Sequence, residues 1–209
     1  LRRKDFAGAL AHFERAQRLR PSTLTVLRIA QIERALGRED AAAWRIKAWG
    51  RANPGDVIAV WLHAEQLLKD GERQESRRLY ESLLKRMPDN PVVLNNLAWL
   101  LAGEDLERAI QLAEKARTIR PDDPRIADTL GWLFHLDGRH TEALPLLETA
   151  ARGARNSPAV QYHLAAVLVA EGDPKRARSI LEDLPLAADT FPEAPKARDL
   201  LRLLGGAEP

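Results

Sequence analysis

The sequence contains no cysteine and only one methionine, and aromatic residues make up 5% of its 209 residues. The absence of cysteine excludes disulfides, zinc–thiolate sites and thiol nucleophiles. No apolar run approaches the ~18 residues that are needed to cross a bilayer, so we expect no direct membrane insertion within this chain. The chain begins with Leu1 instead of methionine, and we interpret it as a fragment whose parent protein holds any signal peptide or lipid anchor elsewhere.

The common signatures of enzymes are also missing. There is no phosphate-binding loop, no HExxH zinc pair and no GxSxG nucleophile elbow. The five histidines lie in different predicted helices or at spacings that do not pair on one helix face. We therefore expect a non-enzymatic protein with no catalytic residues, no metal site and no cofactor.

The charge of the chain gives little support to a nucleic acid partner. Its net charge is +2, with residues 1–87 carrying a net +7 and residues 88–209 a net −5. This polarity would steer a charged partner. The arginines of the first half, however, are spread around the predicted helices without an aromatic stacking platform, so nucleic acid is not an expected partner.

Helix-breaking residues recur along the chain with a period near 34 residues. The prolines of this series lie at intervals of 33, 34 and 33 residues and are Pro21, Pro54, Pro88 and Pro121. Midway between them, glycines that can end a helix in the left-handed conformation lie at Gly37, Gly71, Gly138 and Gly172. Each unit is therefore predicted to hold two helices. In the third unit the glycine comes early, at Gly103, and the unit is one residue shorter, so we expect a tighter turn there.

Two further patterns support paired helices. A capping side chain directly precedes a proline in Asn90-Pro91, Asp123-Pro124 and Ser157-Pro158, which is typical of a helix start. Small residues recur at one position of the first helices, Ala98, Gly131 and Ala165, and at one position of the second helices, Ala109, Ala143 and Ala177. Because small side chains let two helix backbones approach closely, we expect the helices of each pair to pack tightly.

This combination resembles the tetratricopeptide repeat (TPR), most clearly in the fourth unit, with Leu130-Gly131, Phe134, Gly138, Ala143, Leu147 and Ala150. The resemblance implies an all-α fold, a right-handed α-solenoid of helix-turn-helix repeats. We expect a single array over residues 1–209, with a lone second helix at 5–20, five units at 22–54, 56–88, 90–121, 123–155 and 157–184, and a C-terminal capping helix at 192–204. The end of a solenoid has no neighbouring repeat, so we expect the last unit to be covered by Leu200, Leu201, Leu203 and Leu204.

In the TPR family the first helices of successive units line a concave groove, and the resemblance implies which residues face it. As partner-binding residues we predict Trp61, Glu65, Asn95, Trp99, Asp128, Trp132, His135 and Tyr162. Packing between helices requires the leucines at 97 and 130, but it does not require the tryptophans that follow them. Aromatic anchors interleaved with acidic and amide side chains suit an extended peptide. The alternative is that these rings pack only against the neighbouring first helix.

Some TPR domains bind acidic C-termini through a clamp of Lys, Asn and Arg. At the corresponding positions this chain has Trp61, Glu65, Asn96, Arg125 and Thr129. Only Asn96 and Arg125 are compatible with such a clamp, and Glu65 would repel a carboxylate. Acidic C-terminal peptides are therefore disfavoured partners.

The last three units and the tail, with the segments LNNLAWLL, IADTLGWLFHLDG and TFPEAPKARDLLRLL, resemble bacterial envelope TPR lipoproteins of exopolysaccharide and PEP-CTERM (exosortase) systems. That resemblance implies a periplasmic or outer-membrane-associated location, while the residues themselves leave a cytoplasmic one open. The expected function is a non-enzymatic scaffold that binds a protein or peptide partner in its groove, within a bacterial envelope assembly. The alternative is a self-assembly module that forms homo-oligomers with no ligand in the groove.

Overall fold

The computed structural model of the protein describes residues 5–187 and 191–205. This part of the chain holds twelve α-helices and no strand, which confirms the all-α prediction. The chain divides into two compact units at the boundary between Pro88 and Asp89. The first unit contains α1 (Phe6–Leu19), α2 (Thr23–Ala35), α3 (Glu39–Ala52), α4 (Val57–Lys69) and α5 (Arg73–Arg86). The second unit contains α6 (Pro91–Leu101), α7 (Leu106–Ile119), α8 (Pro124–Leu136), α9 (His140–Gly153), α10 (Pro158–Ala170), α11 (Pro174–Glu182) and α12 (Ala194–Gly205).

The first helices of the second unit, α6, α8 and α10, begin at the predicted prolines, and two of the three predicted caps are confirmed. The side-chain oxygen of Asn90 accepts hydrogen bonds from two backbone N–H groups of α6 at 3.0 and 3.2 Å. Asp123 caps α8 by accepting one at 3.0 Å. The predicted cap at Ser157 is wrong, because its side chain makes no capping bond to α10. Ser22, with φ −154° and ψ 150°, does accept a capping bond from the backbone N–H of Thr25 at 3.2 Å, whereas the backbone of Ser157 has φ −95° and ψ 105°.

The turns between paired helices follow the glycine pattern in four units. The φ angles there are 74°, 78°, 78° and 82°, at Gly37, Gly71, Gly138 and Gly172. Glycine adopts this left-handed conformation without the steric penalty of a side chain. Each of these turns therefore needs only three residues before the second helix begins.

The turn of the third unit is longer than the others, so the prediction of a tighter turn is wrong. Helix α6 has 11 residues where α8 has 13, and the turn takes four residues, 102–105. Gly103 is not among the left-handed glycines of the described residues. Instead, the backbone N–H groups of Glu104 and Asp105 both donate to the carbonyl of Leu101 at 2.9 Å. Helix α6 is thus two residues shorter than α8 and its turn is one residue longer, which together account for the residue missing from this unit.

Small residues bring the paired helices together, as predicted. Ala98 and Ala165 are fully buried in α6 and α10. At Gly131 of α8, an added Cβ would lie 2.8 Å from Cγ of Leu147 and 3.2 Å from the backbone oxygen of Ala143, both on α9. These separations are too short for a side chain, so glycine sets how closely α8 and α9 pack.

The capping helix α12 packs through alanines more than through leucines. It contacts α11 and α10, and Ala194 and Ala197 are fully buried. Leu203, which was expected to cover the last unit, is 69% exposed. Leu203 comes six residues after Ala197 and nine after Ala194. On a helix of 3.6 residues per turn, these spacings place it on a different face from the two alanines. No helix within the described residues has the length and apolar character of a bilayer span.

Candidate functional site

The eight predicted partner-binding residues all lie on the first helices of their repeats. Trp61 and Glu65 lie on α4 in the first unit, and both are partly exposed. The other six belong to the second unit: Asn95 and Trp99 on α6, Asp128, Trp132 and His135 on α8, and Tyr162 on α10. Helix α8 contacts both α6 and α10. We call the surface formed by α6, α8 and α10 the first-helix face.

An imidazole that the sequence analysis did not single out connects the two tryptophans of this face. His163 on α10 is only 1% exposed. Its ring stacks on Trp132, with centroids 4.3 Å apart and an interplanar angle of 23°, and lies 5.9 Å from the ring of Trp99. The two tryptophans therefore belong to one aromatic cluster. His163, on α10, contacts both of their rings.

Asp128 fixes the orientation of this imidazole. Its Oδ1 lies 2.8 Å from Nδ1 of His163, and its side chain is 15% exposed. A carboxylate can only accept, so Nδ1 of His163 donates this hydrogen bond. The aspartate that was predicted to face a partner thus also holds the ring on which Trp132 stacks.

A cavity of about 460 Å³ opens on the first-helix face beside this cluster. Its wall includes Trp99, Asn95, Asp128 and His163, together with Glu193 from the segment that precedes α12. An indole wall with a few polar groups suits a side chain of a peptide ligand. Three of these five residues, Asn95, Trp99 and Asp128, are among the predicted partner-binding residues.

Tyr162 lies deeper than the predicted groove position suggested. It is 7% exposed, and its ring lies 6.0 Å from that of Trp132. Burial raises the pKa of Tyr162, with a smaller contribution from the negative charge of Glu193. Tyr162 also lines a second cavity of about 330 Å³, whose opposite wall is formed by α12 through Lys196 and Leu200. The capping helix therefore lies beside Tyr162 and covers part of the surface that α10 contributes.

Two histidines meet across the turn between α8 and α9, although their spacing gave no sign of pairing. Nδ1 of His135 lies 3.2 Å from Nδ1 of His140, and His135 stacks on Trp132 with centroids 5.0 Å apart. Burial lowers the pKa of His135, and repulsion from the positive forms of His140 and His163 lowers it further. The two histidines lie on different helices, as expected, and they meet because the turn folds α9 back against α8.

The lowered pKa of His135 predicts that mild acid destabilises the second unit. A histidine whose folded pKa lies below its unfolded value of about 6.5 contributes stability above that pH, and the contribution is lost as the pH falls through the folded pKa. Thermal unfolding is measured at about pH 7.5 and at about pH 5. Between these two pH values, His135→Gln should lose less stability than the parent does. His12→Gln, at an exposed position of α1, is the control. Equal losses in the parent and His135→Gln would contradict the assignment.

Sequence reasoning missed His163 and Glu193 as residues of the site. His163 occupies the same register position in α10 as Thr129 in α8 and Asn96 in α6, next to the predicted groove positions. A histidine within a largely apolar helix is the signal that would have found it. Glu193 carried no such signal, since it lies outside the repeats and reaches the cavity only through the packing of α12.

Comparisons with known proteins agree with the helical pairs described above. The chain matches the tetratricopeptide repeat family over residues 67–133 and 134–204, which together make up more than half of it. A TPR repeat-containing protein of Pseudomonas aeruginosa is 27% identical over 147 residues, which is 68% of this chain. The chain spans only 25% of that relative's length.

Two solved structures show the same fold. A thermophilic TPR protein of Thermus thermophilus, TTC0263, aligns with a TM-score of 0.62 at 23% identity, covering 89% of this chain and 98% of that one. YrrB, described as a TPR protein with an unusual peptide-binding site, aligns with a TM-score of 0.59 at 13% identity, covering 93% of this chain and 96% of that one. The repeat pattern, the paired helices and the family match lead to one conclusion: the chain belongs to the tetratricopeptide repeat family.

Proposed function

We propose that this chain is a non-enzymatic interaction scaffold that binds an extended peptide of a protein partner on the first-helix face of its second unit. The observation that carries the proposal is the cavity beside Trp99, where an indole ring, the Asp128 carboxylate and the Asn95 amide share one wall. Sites for small ligands and peptide side chains are usually concave and largely apolar, with a few polar groups that fix orientation. Membership of the TPR family supports protein–protein interaction as the general role.

The comparison with YrrB supports the same type of ligand. That protein is described as having an unusual peptide-binding site, and its fold aligns with 93% of this chain. At 13% identity the likeness concerns the fold, so it supplies a precedent for peptide binding by this architecture and no residue assignments. The residues of the site proposed here rest on the cavity of the second unit alone.

We extend the proposal to a bacterial envelope assembly, on the resemblance of the last three units and the tail to envelope TPR lipoproteins of exopolysaccharide systems. Co-purification from the native organism with the full-length protein as bait tests this extension, together with fractionation of the same cells. Recovery of envelope proteins with the bait supports it. Recovery of only cytoplasmic partners would remove the envelope role and leave the scaffold role in place.

Trp99→Ala is expected to weaken binding of the co-purified partner by about thirtyfold or more, because an aromatic anchor contributes about 2 kcal/mol or more to binding. Trp99 is partly exposed at the cavity, whereas Trp132 stacks on two histidines and also supports the fold. Calorimetry with the purified partner measures the change, and circular dichroism verifies that the variant is folded.

Trp44→Ala is the matched control for this experiment. Trp44 is 68% exposed on α3 in the first unit, so its replacement removes an indole of the same size away from the proposed site. The control should bind the partner as the parent does. A folded Trp99→Ala variant that binds with the affinity of the parent would remove the first-helix face from the proposal.

Self-assembly is the alternative function, and the exposed apolar side chain of Leu203 on α12 favours it. Light scattering on the purified chain discriminates between the two. A dimer that Leu203→Glu converts to a monomer would support self-assembly through the C-terminal helix. A stable monomer at all concentrations would remove this alternative.

A further inference from the structure

Three polar atoms of residues that line the cavity beside Trp99 are buried and have no hydrogen-bond partner within the part of the chain that the structure describes. They are Oδ1 of Asn95, Oε2 of Glu193 and Nε2 of His163. His163 as a whole is only 1% exposed, so solvent does not surround its ring. Buried polar atoms in folded proteins nearly always have a hydrogen-bond partner. Three such atoms in residues of one cavity wall are hydrogen-bonding capacity that a bound ligand could complete.

All three atoms are acceptors. The amide oxygen of Asn95 and an ionised carboxylate of Glu193 can only accept. Nδ1 of His163 donates to Asp128 at 2.8 Å, and in the tautomer that makes this hydrogen bond Nε2 is an acceptor. The ligand must therefore present several donors, and an acidic or purely apolar group would leave these atoms unpaired.

The charges on the wall favour a positively charged donor. Asp128 and Glu193 contribute two carboxylates. Among the described residues, Arg125 is the only arginine or lysine on the wall, and its guanidinium donates to both carboxylate oxygens of Asp123 at 3.2 and 3.0 Å. The face of an indole ring, which Trp99 supplies, attracts cations electrostatically. The site thus combines negative charge, unpaired acceptors and an aromatic surface.

We propose that this cavity binds an arginine side chain of the partner peptide, an inference that rests on the proposed function of the first-helix face. A guanidinium carries five N–H donors in one plane and stacks on aromatic rings. It can therefore satisfy several separated acceptors while it lies against Trp99. A lysine ammonium has three donors on a single nitrogen and reaches fewer acceptors at once.

Two short peptides, used with the full chain, test the requirement for positive charge. One is an acetylated and amidated pentapeptide with a central arginine between alanines, and the other has citrulline, the neutral isostere, in its place. The capped ends exclude a terminal amine as the source of the charge. We expect saturable binding of the arginine peptide and about tenfold weaker binding of the citrulline peptide, because hydrogen bonds to charged groups are stronger. Equal affinities, or no saturable binding of the arginine peptide, would overturn the proposal.

Two variants assign the binding to this cavity. Glu193→Gln keeps the size of the side chain. It should lower the affinity for the arginine peptide about tenfold and leave the affinity for the citrulline peptide unchanged. Glu107→Gln, at an exposed position of α7, is the control and should change neither. Asn95→Asp adds a negative charge to the wall and should raise the affinity for the arginine peptide. Partial unfolding cannot produce such a gain. Unchanged affinity of folded Glu193→Gln for the arginine peptide would overturn the assignment.

The outcomes separate this inference from the proposed function. If partner binding depends on Trp99 but arginine and citrulline peptides bind equally, the face is a binding surface and the arginine inference fails. If the preference for arginine depends on Glu193 but partner binding does not depend on Trp99, the cavity binds arginine and the proposed partner-binding surface is wrong.

Discussion

Arg45→Leu is expected to lower the free energy of unfolding by about 3 kcal/mol, the lower end of the range for breaking a buried ion pair. Arg45 on α3 donates from Nε and Nη2 to the two carboxylate oxygens of Glu33 on α2, at 3.0 and 2.5 Å. The side chain of Glu33 is only 5% exposed, and that of Arg45 is 26% exposed. The variant leaves the Glu33 carboxylate buried without its guanidinium, while the partial exposure of Arg45 places the effect at the lower end. Urea denaturation followed by circular dichroism measures it.

The double variant Glu33→Leu/Arg45→Leu is the informative control. Replacing a buried ion pair by apolar side chains of similar volume is often neutral or stabilising, so the double variant should recover most of the lost stability. Arg38→Leu, at an exposed position before α3, should change little. An Arg45→Leu protein as stable as the parent, or a double variant less stable than the single one, would contradict this account of the pair.

Gly131→Leu is expected to lower the free energy of unfolding by about 1–3 kcal/mol, because it overpacks the contact between α8 and α9. An added Cβ would already lie 2.8 Å from Cγ of Leu147 and 3.2 Å from the backbone oxygen of Ala143. Leu147 is fully buried and cannot move away without disturbing its own neighbours. The two helices must therefore separate, and the same denaturation experiment measures the cost.

Gly103→Leu provides the matched control, since it introduces the same side chain at another glycine of the second unit. Gly103 is exposed, no atom lies within 4 Å of the position of its added Cβ, and its φ is not left-handed. We expect a change much smaller than that of Gly131→Leu. Equal stability of the two variants would mean that the close approach of α8 and α9 does not depend on glycine.

The helices of this fold could be predicted because their signals are local. A cap followed by proline starts a helix and a left-handed glycine ends one, and both depend only on residues near each other in sequence. The prediction failed at two positions where the local signal was present but the expected local interaction did not form. At Gly103 the glycine was present but did not adopt the left-handed conformation, and at Ser157 the hydroxyl did not bond to the helix.

The candidate site could be predicted only in part, because its chemistry depends on packing between distant segments. The register of first helices identified Trp99 and Asp128 as residues of one face. The contact of Asp128 with His163 joins residues 35 positions apart, and Glu193 joins the cavity from outside the repeats. The pair between Arg45 and Glu33 was missed for the same reason, since charged residues on neighbouring helices look like solvent-exposed ones in the sequence.

Mapping the bound partner on the isotope-labelled full chain by NMR tests the scaffold proposal most directly. On titration with the purified partner peptide, we predict saturable chemical-shift changes at the indole N–H of Trp99 and at the backbone amides of Asn95 and Asp128. The second helices α7 and α9 should show little change. Changes confined to those second helices or to the exposed end of α12 around Leu203, with the Trp99 indole unaffected, would contradict the proposal.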